Sequence, residues 1–115
     1  MTTIFLDASA TREPGAADRL VLLAEAGHEL VLVAPADAVG PAVAWDAQVP
    51  AVPAELPEVC WFVTADPATC GDRRAGLRTI LVGPPRPGPR PTRCDQTARD
   101  LRDAVLVILA ADVMR

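Results

Sequence analysis

Four short apolar runs, each closed by an acid, a glycine or a proline, constrain this chain more than any other feature. They are Thr3-Ile4-Phe5-Leu6 before Asp7, Leu30-Val31-Leu32-Val33 before Pro35, Val59 to Thr64 before Asp66, and Thr79-Ile80-Leu81-Val82 before Gly83. None alternates apolar with polar residues, so each reads as a strand covered on both faces, the condition of a parallel sheet. Between the first two runs, Ala17, Leu20, Val21, Leu23 and Ala24 follow helical spacing, and Gly27 sits where a left-handed cap ends a helix. Pro67 fits the first position of a further helix, with Asp66 near its cap and Gly76 at its end. Ala36 to Ala44 suits a short helix and Trp45 to Val49 a short strand; Pro50, Pro53 and Pro57 forbid a long helix after them. Leu101, Ala104, Val105, Ile108 and Leu109 mark the buried face of a closing helix, and Thr92-x-x-Asp95 has the form of its capping box. Strands alternating with helices predict a single α/β domain over residues 1–115: a three-layer, doubly wound, Rossmann-like parallel sheet of four to five strands. No repeat of 20 to 50 residues is visible in the sequence.

Composition narrows function. The 115 residues carry a formal charge of −4, and the 11 basic residues are all arginine. With no lysine, chemistry that needs an amine side chain is excluded. Net acidity without a basic block argues against nucleic acid as a partner. The longest apolar run, Ala104 to Ala111, is too short to span a membrane, and Met1-Thr2-Thr3 lacks the basic start of a signal peptide. Cys60, Cys70 and Cys94 are odd in number and have no CxxC spacing, so unpaired thiols and a cytoplasmic location are expected. The single histidine, His28, follows the capping Gly27 and is expected at the surface near the helix C-terminus.

In an open α/β sheet, ligands gather at the carboxyl ends of the strands. Asp7 and Asp66 both stand at such ends. Carboxylate oxygens in that position suit a hard cation such as Mg²⁺, and an aspartate there can act as a nucleophile. The bland alternative is that each caps the helix that follows.

The stretch Phe5-Leu6-Asp7-Ala8-Ser9-Ala10-Thr11 resembles the first motif, Asp-x-Asp-x-Thr, of the haloacid dehalogenase-like hydrolase superfamily. Ala26-Gly27-His28-Glu29-Leu30-Val31-Leu32-Val33-Ala34 is similar to its second motif, a strand ending in Thr or Ser. Cys60 to Pro67, with Arg74-Ala75-Gly76 leading into Leu77 to Gly83, is similar to its fourth. The resemblance covers nearly the whole chain. It implies Asp7 as nucleophile and Mg²⁺ ligand, Thr11 as the motif-one threonine, Asp66 as the second Mg²⁺ ligand, and a small phosphorylated ligand.

The same comparison exposes losses. Ser9 replaces the acid/base aspartate, and a hydroxyl cannot protonate a leaving group as a carboxylic acid does. Ala34 stands where a hydroxyl should hold the transferring phosphoryl group. Cys70 occupies the place of the second motif-four acid, with Asp72 close by. No basic residue lies between His28 and Arg73 to neutralise the phosphoryl charge, and the chain has no room for a cap domain. General acid/base catalysis supplies about 10²–10⁴-fold and one charge-stabilising donor roughly 10²–10³-fold.

Three classes of function follow. The first is a haloacid dehalogenase-like domain that has lost hydrolysis and serves as a binding, regulatory or assembly module. The second is a divergent hydrolase, with or without Mg²⁺, in which Asp7 still attacks and Arg73, Arg74 or Arg78 replaces the missing base. The third is an interaction protein using Pro84-Pro85-Arg86-Pro87 and Pro87-Gly88-Pro89-Arg90 as polyproline ligands, against a stiff crossover as the plain alternative. Cys70 reads either as a reactive thiol or as a small half-buried residue. Trp45 and Trp61 read as core or interface anchors, and the many small apolar residues leave a helix face for a homodimer or another protein partner.

Overall fold

The apolar runs form strands because two faces of a parallel sheet must both be covered, and only residues without polar side chains tolerate that position. The structure, a computed structural model, describes residues 2–38, 40–56, 59–66, 76–84 and 94–113. Its elements are β1 (Thr3–Asp7), α1 (Ala16–Glu25), β2 (Glu29–Val33), β3 (Ala47–Val49), β4 (Cys60–Thr64), β5 (Leu77–Val82), β6 (Gln96–Ala98) and α2 (Leu101–Val113). All neighbouring strands are parallel, in the order β3-β2-β1-β4-β5-β6. Strand order reverses at β1, so the chain winds outward in both directions from the centre of the sheet.

Among the described residues the sheet has six strands where four to five are expected. The addition is β6, whose sequence Gln96-Thr97-Ala98 has no apolar run to announce it. What seats it is a side chain. Asp95 Oδ2 accepts from both the amide (2.8 Å) and the hydroxyl (3.0 Å) of Thr79 on β5, and the Asp95 amide donates to that hydroxyl at 2.9 Å. The opposite edge repeats the device. Asp46 Oδ2 accepts the Leu30 amide at 2.8 Å, and the Asp46 amide donates to the Leu30 carbonyl at 2.9 Å. Both pairs are separated by 16 residues. Each follows a strand entered through a left-handed glycine, Gly27 at φ 90° and Gly76 at φ 86°. The two halves of the sheet are therefore built alike, although the sequence shows no repeat.

Both helices cover one face. Leu20, Leu23, Leu101, Val105 and Ile108 pack there against Ile4, Leu6, Leu30, Trp61, Val63 and Ile80. On the other face, Phe5, Val31, Cys60, Phe62 and Leu77 are covered in part by Val52 and Leu56 from the proline-rich connection after β3. Among the described residues that second face carries no helix. The helix expected from Pro67 to Ala75, the Cys70 thiol and the Pro-Arg segment after Pro84 lie outside the described residues.

Gly27 ends α1 as expected. Its amide donates to the Ala24 carbonyl at 3.0 Å and the His28 amide to the Leu23 carbonyl at 3.2 Å, the paired bonds of a Schellman motif. Three other expectations are corrected. Residues 36–38 and 40–44 form turns, bends and irregular chain rather than a helix. There Gly40 approaches the Leu32 side chain and the Trp45 ring so closely that a Cβ would lie 2.9 Å from Leu32. The capping box of α2 is not Thr92-x-x-Asp95, because Asp95 is spent on β5. Asp100 accepts the Asp103 amide at 2.8 Å, and Asp103 accepts the Arg99 amide at 3.1 Å. His28 is buried rather than exposed, with Nε2 2.5 Å from Asp112 Oδ2, and neither ring nitrogen makes an aligned hydrogen bond.

The cysteine expectation is also revised. Cys94 is disulfide-bonded, which removes the unpaired-thiol argument for a reducing compartment. Cys60 is free and buried, and its Sγ–H donates to the Gly76 carbonyl at 3.3 Å. Among the described residues no helix is long and apolar enough to cross a membrane.

Two outcomes follow. Asp95→Ala removes two acceptor contacts and Asp46→Ala one, so urea titration should show losses of about 2 and about 1 kcal/mol, with amide exchange faster at Thr79 and Leu30 respectively. Burial pushes the Cys60 thiol above the ordinary range, so its neutral form stabilises the fold below the unfolded thiol value of about 8.5. That contribution declines as pH rises through the higher folded value. Cys60→Ala should flatten the alkaline part of the stability-against-pH curve.

Candidate functional site

Where strand order reverses, the loops leaving the two central strands normally diverge and open a crevice for ligands. In this protein those strands are β1 and β4. Asp7 is the last residue of β1 and Thr64 the last of β4. The crevice between them is bridged by side chains.

Thr64 Oγ1 donates to Asp7 Oδ2 at 2.5 Å. Ser9 Oγ donates to Asp7 Oδ1 at 2.5 Å, and the Ala10 amide donates to the same oxygen at 3.0 Å. Both hydroxyls also accept. Ser9 Oγ takes the Ala65 amide at 3.0 Å, and Thr64 Oγ1 takes the Asp66 amide at 3.1 Å. The two hydroxyl oxygens lie 3.4 Å apart. The result is a clasp: one carboxylate with three donors, and two hydroxyls each joining it to the main chain after β4. The local sequence explains the geometry. Ala8, Ser9 and Ala10 are small enough for a tight turn after β1, and the turn brings the Ala10 amide back onto Asp7 in the manner of an Asx turn.

The sequence-predicted site residues divide. Asp7 and Ser9 meet directly. Asp66 joins them through its backbone amide, while the residue itself is exposed. Thr11 turns to its own loop: its hydroxyl donates to the Ala8 carbonyl at 3.0 Å and its amide to the same oxygen at 3.3 Å. Ala34 is buried beyond the end of β2, and its amide donates to the Val49 carbonyl at 2.9 Å, so this position extends the β2–β3 ladder.

No protein-family model, no curated protein and no solved structure matches this chain. The chemistry of the site therefore rests on its own atoms.

A nucleophilic aspartate needs one oxygen open along the line of attack. Here Oδ1 receives two donors and Oδ2 a third. A divalent cation would compete for the same oxygen lone pairs, of which two hydroxyls and one amide already take three. Among the described residues no group of three His, Cys, Asp or Glu side chains gathers to hold a metal.

Thr64 is the residue that sequence reasoning missed. The signal was available: a lone hydroxyl closing an otherwise apolar strand, and fully buried, has to find a polar partner. A double-mutant cycle on Asp7→Asn and Thr64→Val should therefore give a coupling of about 1–2 kcal/mol in chemical denaturation, with each single variant losing roughly 1–3 kcal/mol. Thr11→Val, outside the clasp, should couple to neither.

Proposed function

We propose that this chain is a haloacid dehalogenase-like domain in which the first motif has become a structural clasp. It acts as a binding, regulatory or assembly module, with phosphohydrolase chemistry lost. The observation that carries this reading is the occupancy of the Asp7 carboxylate by Ser9, Ala10 and Thr64.

Three further features support it. Asp7 ends the central strand, with β2 and β4 on either side, which is the position the superfamily resemblance asks of its nucleophile. Ser9, in the place of the acid/base aspartate, holds a main-chain amide and the carboxylate it should have assisted. Ala34, in the place of the phosphoryl-binding hydroxyl, presents only a methyl group. With no base from Glu29 to Asp72 to neutralise a phosphoryl group, losses of about 10²–10⁴-fold for proton transfer and roughly 10²–10³-fold for charge stabilisation leave little hydrolysis.

The test is turnover of p-nitrophenyl phosphate with Mg²⁺ by the wild-type chain and by Asp7→Asn, at a temperature where circular dichroism shows both folded. Equal background rates are expected. A wild-type rate that disappears in Asp7→Asn would overturn the proposal in favour of a divergent hydrolase with Asp7 as nucleophile.

A further inference from the structure

The two margins of the sheet are built to one plan. β3 is seated by Asp46 on Leu30, and β6 by Asp95 on Thr79. Each edge strand is then closed by the same kind of bond. The Ala34 amide donates to the Val49 carbonyl at 2.9 Å, and the Gly83 amide donates to the Ala98 carbonyl at 3.0 Å. The ladders match as well, with three residues of each edge strand paired.

What holds the chain at the entry to each strand differs. Directly before Asp46 stands Trp45, which packs against the core beneath the helices and donates from Nε1 to the Pro41 carbonyl at 3.3 Å. Directly before Asp95 stands Cys94, which is buried against Leu81 of β5 and held by a disulfide. Cys60 is free, so the second sulfur of that bond lies outside the described residues. A packed indole ring is indifferent to reductants, whereas a disulfide responds to them.

The hold matters because β6 has little of its own. Gln96 and Thr97 are polar and exposed, and of its three residues only Ala98 joins the core. The bonds between Asp95 and Thr79 set its register, and they last only while the chain entering β6 stays beside β5. A thiol buries far less apolar surface than an indole ring. Once the bond is cut, Cys94 therefore does not replace what Trp45 supplies at the other margin.

We propose that the Cys94 disulfide is a redox-operated catch on β6. Closed, it keeps Asp95 on Thr79 and gives the sheet a margin of three residues. Opened, it lets β6 leave, and the margin becomes the six residues of β5. The opening reagent is a dithiol. One of its thiolates attacks either sulfur of the bond, forms a mixed disulfide and expels the other sulfur, which takes up a proton. The second thiol of the reagent then displaces the remaining protein sulfur, which is protonated in turn. The protein gains two electrons and two protons, and the dithiol leaves as a cyclic disulfide. The inference makes no use of Asp7 and stands whatever that carboxylate does.

Amide exchange on the intact chain, with and without dithiothreitol, tests it. Thiol counting in denaturant should first give one thiol before reduction and three after, as a bond within the chain requires. A higher count before reduction would overturn the proposal. Thr79, Asp95 and Gly83 report on β6, while Leu30, Asp46 and Ala34 report on β3 as an internal reference. Reduction should speed exchange at the first three by about tenfold or more and leave the second three unchanged. Cys94→Ser should show the reduced pattern without reductant. Equal exchange at Thr79, Asp95 and Gly83 in the two redox states of the wild type would sink the idea. So would acceleration at both margins together, which marks a general loss of stability rather than a catch on one strand.

Discussion

The carboxylate of Asp7 joins the two halves of the sheet at the place where they would otherwise part. Outward winding from β1 sends the chain in opposite directions, and strand hydrogen bonds alone do not restrain the loops that leave β1 and β4. Three donors converging on Asp7, with Ser9 and Thr64 passing the connection on to the amides of Ala65 and Asp66, fix both loops at once. The same bonds occupy three acceptor sites of the carboxylate. On the reading proposed above, stability and loss of hydrolysis at this site have one cause.

A comparable economy governs the helices. Glu13 and His28 lie outside α1, yet they set its register against α2 from both ends. Glu13 does so at a helix amino terminus, where a carboxylate is favoured by the helix dipole.

Sequence pattern revealed much of this fold because β1, β2, β4 and β5 are buried on both faces and must be apolar throughout. Gly27 was legible for a similar reason: a left-handed cap leaves few choices of residue. The missed features share a different origin. β6 is polar and short, and is held by Asp95, so no hydropathy pattern marks it. The irregular chain at 36–38 and 40–44 brings Gly40 close to Leu32 and Trp45, a tertiary contact. Asp7 and Ser9 stood out as site residues from their place at a strand end. Their meaning was not legible, because it depends on Thr64, whose sequence separation from Asp7 is 57 residues. Residue type alone does not distinguish a carboxylate that attacks from one that is already engaged.

The two aspartate-seated edge strands have a consequence for how this molecule meets others. β3 and β6 are three residues each, and the strands they border are longer. A newcomer strand would find only a brief ladder of free amides and carbonyls at either margin, too short to template open-ended sheet growth. Along one margin Gln48 further turns its side-chain amide to the Pro35 carbonyl of the same chain. The sheet is thus self-limiting sideways.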